Sequence, residues 1–204
     1  MPHLLEVRDL AYQTPDRRPL IQRLSFELNH GELMTITGPN GIGKSTLLRL
    51  LLGEGKPTEG SIQWHVPLQR IGFLSQLHNR EFHISLTLAD ILSFSGKVNP
   101  GRIHEQSHGL LQADVLDRAW NTASGGERQK TLLTRVFLKD PTVLILDEPM
   151  NHLDISGRQQ LRAALGQFIQ DGQHAVMMVG HESALDPIEW NPHHTIDLKG
   201  YVVP

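Results

Sequence analysis

Leu33 to Leu52 reads LMTITGPNGIGKSTLLRLLL and joins three kinds of sequence. The apolar run Leu33–Thr37 suits a short strand buried on both faces, as in a parallel sheet. Gly38-Pro39-Asn40-Gly41-Ile42-Gly43-Lys44-Ser45 then satisfies G-x-x-x-x-G-K-[ST] at every fixed position. Lys44–Leu52 is apolar nearly all round, as a buried helix is, and Gly53 can end it. Strand, glycine loop and helix in this order form a phosphate cradle. The glycines let the backbone curl so that N–H groups converge on phosphate oxygens, and the helix adds its positive end. Lys44 is expected to reach the β- and γ-phosphates, Ser45 to ligate Mg²⁺, and Thr46 to bond the α-phosphate.

Two more apolar runs, Val143–Leu146 and Ala175–Val179, also lead into polar turns: Asp147-Glu148-Pro149 and Gly180-His181. In open α/β sheets ligands gather outside the carboxyl ends of strands, so three such turns predict one shared site. Adjacent carboxylates at the end of a buried strand are costly without a cationic partner, and a Mg²⁺-bound nucleotide supplies one. Asp147 is then the Mg²⁺ residue. Glu148 is the general base that activates the attacking water.

Helical stretches lie between the runs. Gly126–Leu138 puts Leu132, Leu133, Val136 and Phe137 on one face; Ile155–Ile169 does so with Leu161, Ala164, Leu165, Phe168 and Ile169. The alternation predicts an α/β P-loop NTPase core with a mainly parallel sheet. Leu4–Leu28 and Ser61–Trp64 read as an antiparallel region. Residues 77–122 are polar, with Pro100, Gly101 and a helical patch at Leu86–Phe94, and read as an inserted, mainly helical lobe within a single domain spanning 1–204. Lys199-Gly200 reads as the turn of a terminal hairpin.

Composition sets outer limits. Hydrophobic residues make up 39% of 204 and charged residues 20%, as in an ordinary globular domain. A net charge of −3 gives no basic footprint for nucleic acid, and the absence of cysteine removes disulfide, thiol and cysteine–zinc chemistry. Met1–Leu10 lacks the apolar centre of a signal peptide, and no run is long enough to span a membrane. Any membrane part is therefore expected from a separate chain.

Ala123-Ser124-Gly125-Gly126-Glu127 narrows the reading further. It resembles the LSGGQ signature of ATP-binding cassette (ABC) ATPases. Other motifs follow in that family's order. Gln76, after Ile71-Gly72-Phe73-Leu74, resembles the Q-loop glutamine; Asn151-His152-Leu153-Asp154 resembles the D-loop; His181 resembles the switch histidine; Tyr12 stands where an adenine-stacking aromatic is frequent. The resemblance runs from about Val7 to Val202. It implies that Gly38 to Thr46 (Pro39, Asn40, Gly41, Ile42 and Gly43 included) hold ATP. It implies that Gln76 ligates Mg²⁺ and senses nucleotide, that His181 bonds the γ-phosphate, and that Asp154 contributes from the D-loop. Ser124, Gly125 and Gly126 would receive the γ-phosphate of ATP held by a second cassette, so two chains enclose two ATP.

The implied assembly is a homodimer bound at the cytoplasmic face to separate integral membrane subunits through the lobe near Gln76–Leu92, with no direct contact to nucleic acid. Three positions depart from the pattern: Ala123 for leucine, Glu127 for glutamine, and Met150 for serine or threonine. Glu127 tilts the cargo towards a metal or metal chelate. The alternative is a soluble cassette ATPase acting on ribosomes or in assembly, which the Asn151–Asp154 sequence resembles. Tyr12 serves either to stack on adenine or as a half-buried strand residue. Trp64, Trp120 and Trp190 read as packing residues, and Asn191-Pro192-His193-His194 as a surface loop without metal spacing.

Overall fold

A computed structural model describes residues 3–75, 85–96, 98–181, 183–185 and 191–202. In chain order the elements are β1 (Leu5–Gln13), β2 (Pro19–Leu28), β3 (Leu33–Thr37), α1 (Lys44–Leu51), β4 (Glu59–Trp64), β5 (Ile71–Leu74), α2 (Leu88–Ser93), α3 (Ile103–Gln106), α4 (Gly125–Phe137), β6 (Val143–Asp147), α5 (Ile155–Ile169), β7 (Ala175–Gly180) and β8 (His194–Asp197). Short 3₁₀ turns punctuate the connections.

The three apolar runs become neighbours. The order β5-β6-β7-β3-β8 forms one sheet in which every pairing is parallel. Every residue of β3, β6 and β7 is buried, as strands covered on both faces must be. Side chains that alternate along a strand feed two different cores. Leu144, Leu146, Val176 and Met178 join Leu133, Val136, Leu161, Leu165 and Phe168 of α4 and α5. Val143, Ile145, Ala175, Met177 and Val179 face the other way, with Leu47, Leu48 and Leu51 of α1 and the inner residues of β1 and β2. The antiparallel sheet, in order β2-β1-β4, closes that second core.

One close approach in the antiparallel sheet demands glycine. Gly60 has φ +79°, and a Cβ there would lie 2.3 Å from the Arg8 carbonyl oxygen. The β1–β4 register shifts between Arg8 and Ala11, where β1 bulges.

Between β5 and α4 the described residues are helical and turn-rich, with a small core of Leu92, Ile103, Leu111 and Leu116. A short backbone seam closes this region. The Leu88 N–H donates to Arg118 O (3.0 Å), the Trp120 N–H to Leu86 O (2.7 Å), and Thr87 bridges Ala119. Thr87 caps α2 in a capping box with Asp90.

Three local expectations are corrected. Lys199-Gly200 does not turn a hairpin: Leu198–Tyr201 is a 3₁₀ turn, begun by the Asp197 carboxylate accepting from Lys199 N–H. His194 does not lie in a loop, because it opens β8, which runs parallel to β3. The helical patch read over Leu86–Phe94 is helix only over Leu88–Ser93, with Phe94 at its C-cap, 62% exposed and with Arg135 over its ring. Trp64 and Trp120 do pack: Trp64 Nε1 donates to Leu51 O, and Trp120 is buried in the α4–α5 core. Trp190 lies outside the described residues.

Candidate active site

The loop from β3 to α1 has the conformation its glycines permit. Gly38, Gly41 and Gly43 have φ of +152°, +78° and +113°. Gly43 precedes α1 and offers no side-chain cap, and the first turn contains no acid. The helices α2, α4 and α5 are instead capped by Thr87, Ser124 and Asp154. The opening N–H groups of α1 are thus left to a ligand, and an anion suits them. The Lys44 ammonium arches back over the loop, donating to Gly38 O (2.7 Å) and Pro39 O (3.0 Å). Burial pulls its pKa below the ordinary lysine value, while Glu148 and Asp147 act in the opposite direction.

β6 delivers the two acids. Asp147 ends the strand, buried. Glu148 follows with φ +48°, a left-handed conformation unusual for a non-glycine residue. Its N–H donates to Val179 O (2.8 Å), which ties it to β7. Asn151 Nδ2 donates to Glu148 Oε2 at 2.8 Å. His181, at the end of β7, holds Nε2 at 4.0 Å from Glu148 Oε1, beyond hydrogen-bond reach.

A cavity of about 190 Å³ is lined by Leu20, Asn40, Gly41, Gly43, Lys44, Ser45, Thr46, Asp147 and Glu148. A second, of about 260 Å³, shares Ser45 and Asp147 and extends to Ser75. A hydroxyl and a carboxylate facing common space beside a phosphate cradle fit a small oxygen-seeking cation, which takes few protein ligands when phosphates supply the rest. Among the described residues no group of three or more His, Asp or Glu forms a self-sufficient metal cage.

The signature residues sit apart from this cavity; its described lining does not include Ser124, Gly125 or Gly126. Ser124 is the exposed N-cap of α4 in a complete capping box: Ser124 Oγ accepts from Glu127 N–H, and Glu127 Oε2 accepts from Ser124 N–H (2.8 Å). A Cβ at Gly125 would lie 3.0 Å from His152 Cβ, a tight approach that a side chain relieves only by moving His152. His152, left-handed at φ +66°, thus presses on the start of α4, and Gln129 Nε2 donates to Pro149 O (2.9 Å). Asp154 caps α5 by accepting from Gly157 N–H (2.7 Å). Ala123 and Met150 are both buried in the α4–α5 core.

The structure therefore brings Lys44, Ser45, Thr46, Asp147 and Glu148 to one cavity, with His181 beside Glu148. Tyr12 is partly buried on β1 opposite Ile21, the neighbour of cavity-lining Leu20. Gln76 lies outside the described residues. Sequence reasoning missed Leu20, whose Cγ would lie 3.2 Å from a Cβ at Gly43; an apolar strand residue carries no chemical mark. It treated Asn151 only as part of a motif, though an amide three residues after a candidate base was a usable signal.

The model of the ABC transporter family matches residues 21–151. The zinc import ATP-binding protein ZnuC of Photorhabdus laumondii is 33% identical over 182 residues, covering 89% of this chain and 70% of its own. A structure of an inward-facing ABC transporter of putative metal-chelate type superposes at TM-score 0.73 with 27% identity, covering 88% of this chain and 74% of that one. A putative ABC transporter ATP-binding protein from Pyrococcus furiosus, 24% identical, shares the fold at TM-score 0.78 across 98% of this chain and 99% of its own.

Proposed function

The chain belongs to the ABC transporter ATP-binding family, and we propose from that premise that it drives a metal ion or metal chelate through separate membrane subunits. It binds and hydrolyses ATP. One observation carries the assignment of the site: the uncapped start of α1 and the Lys44 ammonium share a cavity with Asp147 and Glu148. The cargo reading rests on the zinc-import relative and the metal-chelate structural neighbour. The family relatives do not favour the alternative, a soluble non-transport cassette.

In this reading the loop N–H groups and Lys44 hold the β- and γ-phosphates, and Ser45 and Asp147 hold Mg²⁺, which spreads the phosphate charge. Glu148 takes a proton from the attacking water, and Asn151 fixes the orientation of its carboxylate. His181, with Nε2 4.0 Å from Glu148 Oε1, would bond the γ-phosphate and steady that water. Gln76 completes the Mg²⁺ ligands, and Tyr12 offers a ring to adenine. The exposed, glycine-rich start of α4 is left to the ATP of a second copy of this chain, with Asp154 of the D-loop alongside. The lobe, about residues 77–122 of a single domain, docks the membrane subunits. No helix among the described residues is long and apolar enough to cross a membrane, so attachment at the cytoplasmic face would come through those partners.

Affinity purification in mild detergent tests this reading. An integral membrane protein should co-purify, and ATP hydrolysis by the complex should rise with metal cargo. Recovery with ribosomes and no membrane protein would overturn the transport assignment.

A further inference from the structure

Position 127 carries a negative charge at the place where the preceding reading expects a phosphate to arrive. Glu127 is the third residue of α4, and its carboxylate accepts from the Ser124 N–H. That bond, chiefly, holds its pKa below the usual carboxylate range, so the group is ionised at neutral pH. An acid in the first turn steadies the empty helix end, but it repels any anion approaching the same N–H groups. A glutamine there would complete the capping box without the charge.

Among the described residues, one guanidinium pairs with this carboxylate. Arg118 forms an ion pair with Glu127 through Nη1 and Oε1. Among the other described cations nearby, Lys130 also favours the ionised Glu127 through space, less than Arg118 does, but both it and Arg128 are hydrogen-bonded elsewhere. Arg128 donates to Trp120 O and Asn121 O and lies over the Trp120 ring, and Lys130 bonds Gln160. Arg118 is held at its post by backbone: its carbonyl accepts from Leu88 N–H, and its own N–H donates to Val115 O.

We infer that Arg118 is a positioning residue that neutralises Glu127, so that the N-terminus of α4 can receive the γ-phosphate of ATP bound by a second copy of the chain. Glu127 serves the helix and Arg118 cancels its charge; the two residues function as a pair. This rests on the reading of Ser124–Gly126 as the receiving end. It goes further by naming the residue that makes a glutamate tolerable there.

The test is a double-variant cycle on the intact protein, with ATP turnover and ATP binding measured separately. Arg118→Ala should raise KM for ATP in steady-state hydrolysis about tenfold, a loss of about 1.4 kcal/mol. Binding of a fluorescent ATP analogue to the isolated subunit should stay unchanged. Adding Glu127→Gln to Arg118→Ala should restore KM to within about twofold of the parent. Arg118→Lys should keep most of the function.

If Arg118 only fastened its loop, removing the Glu127 charge would leave the loop as loose as before, and the double variant would stay impaired. An impaired double variant, or a normal KM in Arg118→Ala, overturns the proposal. Ser124→Arg separates the two levels. Full ATPase activity in that variant would refute the receiving-end reading itself, whereas its inactivation together with a normal Arg118→Ala would refute only the charge pairing.

Discussion

Asn151 holds Glu148: its side-chain amide donates to Oε2 at 2.8 Å, while its backbone N–H donates to the Glu148 carbonyl at 3.2 Å. The contact fixes a carboxylate whose own backbone is already in an unusual left-handed conformation. The proposed base, aimed in this way, loses orientation before it loses basicity. Asn151→Ala should lower kcat about tenfold with KM little changed, a loss of transition-state positioning of about 1.4 kcal/mol. Glu148→Gln should lower kcat by about a hundredfold or more while keeping ATP binding, and should accumulate an ATP-bound dimer on gel filtration. Steady-state phosphate release measures both. Parent-rate hydrolysis by Glu148→Gln would remove Glu148 as the base.

Lys44 gives a pH dependence with two opposite signs. Burial lowers its pKa in the folded protein relative to the unfolded chain. The folded state therefore binds fewer protons between the lowered value and the ordinary one, and stability without ATP rises with pH through that window. ATP affinity should move the other way, falling as Lys44 loses its proton. Lys44→Ala should weaken ATP binding by about 3 kcal/mol, roughly a hundredfold in Kd. Calorimetric titration at several pH values, paired with thermal melts, reads both trends. Affinity that is flat as pH approaches 10.5 would contradict the role given to the ammonium.

The contact of Gly125 with His152 separates two kinds of defect. Gly125→Val should press His152 out of place and block receipt of a second ATP, while the phosphate loop of the same chain stays intact. Binding of a fluorescent nucleotide by the isolated subunit should be near normal, and ATP turnover should fall at least about tenfold. If turnover persists, the surface of α4 does not need the close approach that the glycine permits.

Gly60 tests the fold without touching the site. Gly60→Ala would force a left-handed alanine and drive its Cβ into the Arg8 carbonyl, which no rotamer relieves. The expected loss is at least about 2 kcal/mol, or roughly 5 °C in Tm. A melt within about 1 °C of the parent would show that the β1–β4 bulge relaxes at little cost.

The parts of the molecule legible in the sequence were those in which one physical demand dominates. Leu33–Thr37, Val143–Leu146 and Ala175–Val179 are apolar without interruption because both of their faces are covered, and all three are buried strands of one parallel sheet. That Lys44, Ser45 and Asp147 share a cavity was legible because the motifs carrying them follow buried strands of one parallel sheet. The carboxyl-terminal segment misled for the opposite reason. Lys199-Gly200 has turn chemistry, yet Asp197 directs the chain into a 3₁₀ turn, and the pairing of β8 with β3 depends on a strand some 160 positions away. Leu20 was invisible because only the third dimension sets an ordinary leucine against Gly43. Arg118 was invisible likewise, being an exposed cation whose partner emerges only when the chain folds back upon α4.

The seam between Leu86–Leu88 and Arg118–Trp120 has an evolutionary corollary. Residues 89–117 leave the seam and return to it almost opposite their point of departure, so the distance between their ends is set by the seam and not by what lies between. Insertions or deletions at its outer turns need not shift Ser124, provided that Ile91, Leu110 and His108 keep their packing against α4. If the lobe docks partners as proposed, a lineage can refit its outer turns while the face packed on α4 is inherited unchanged, as a tool head is swapped on a common shank.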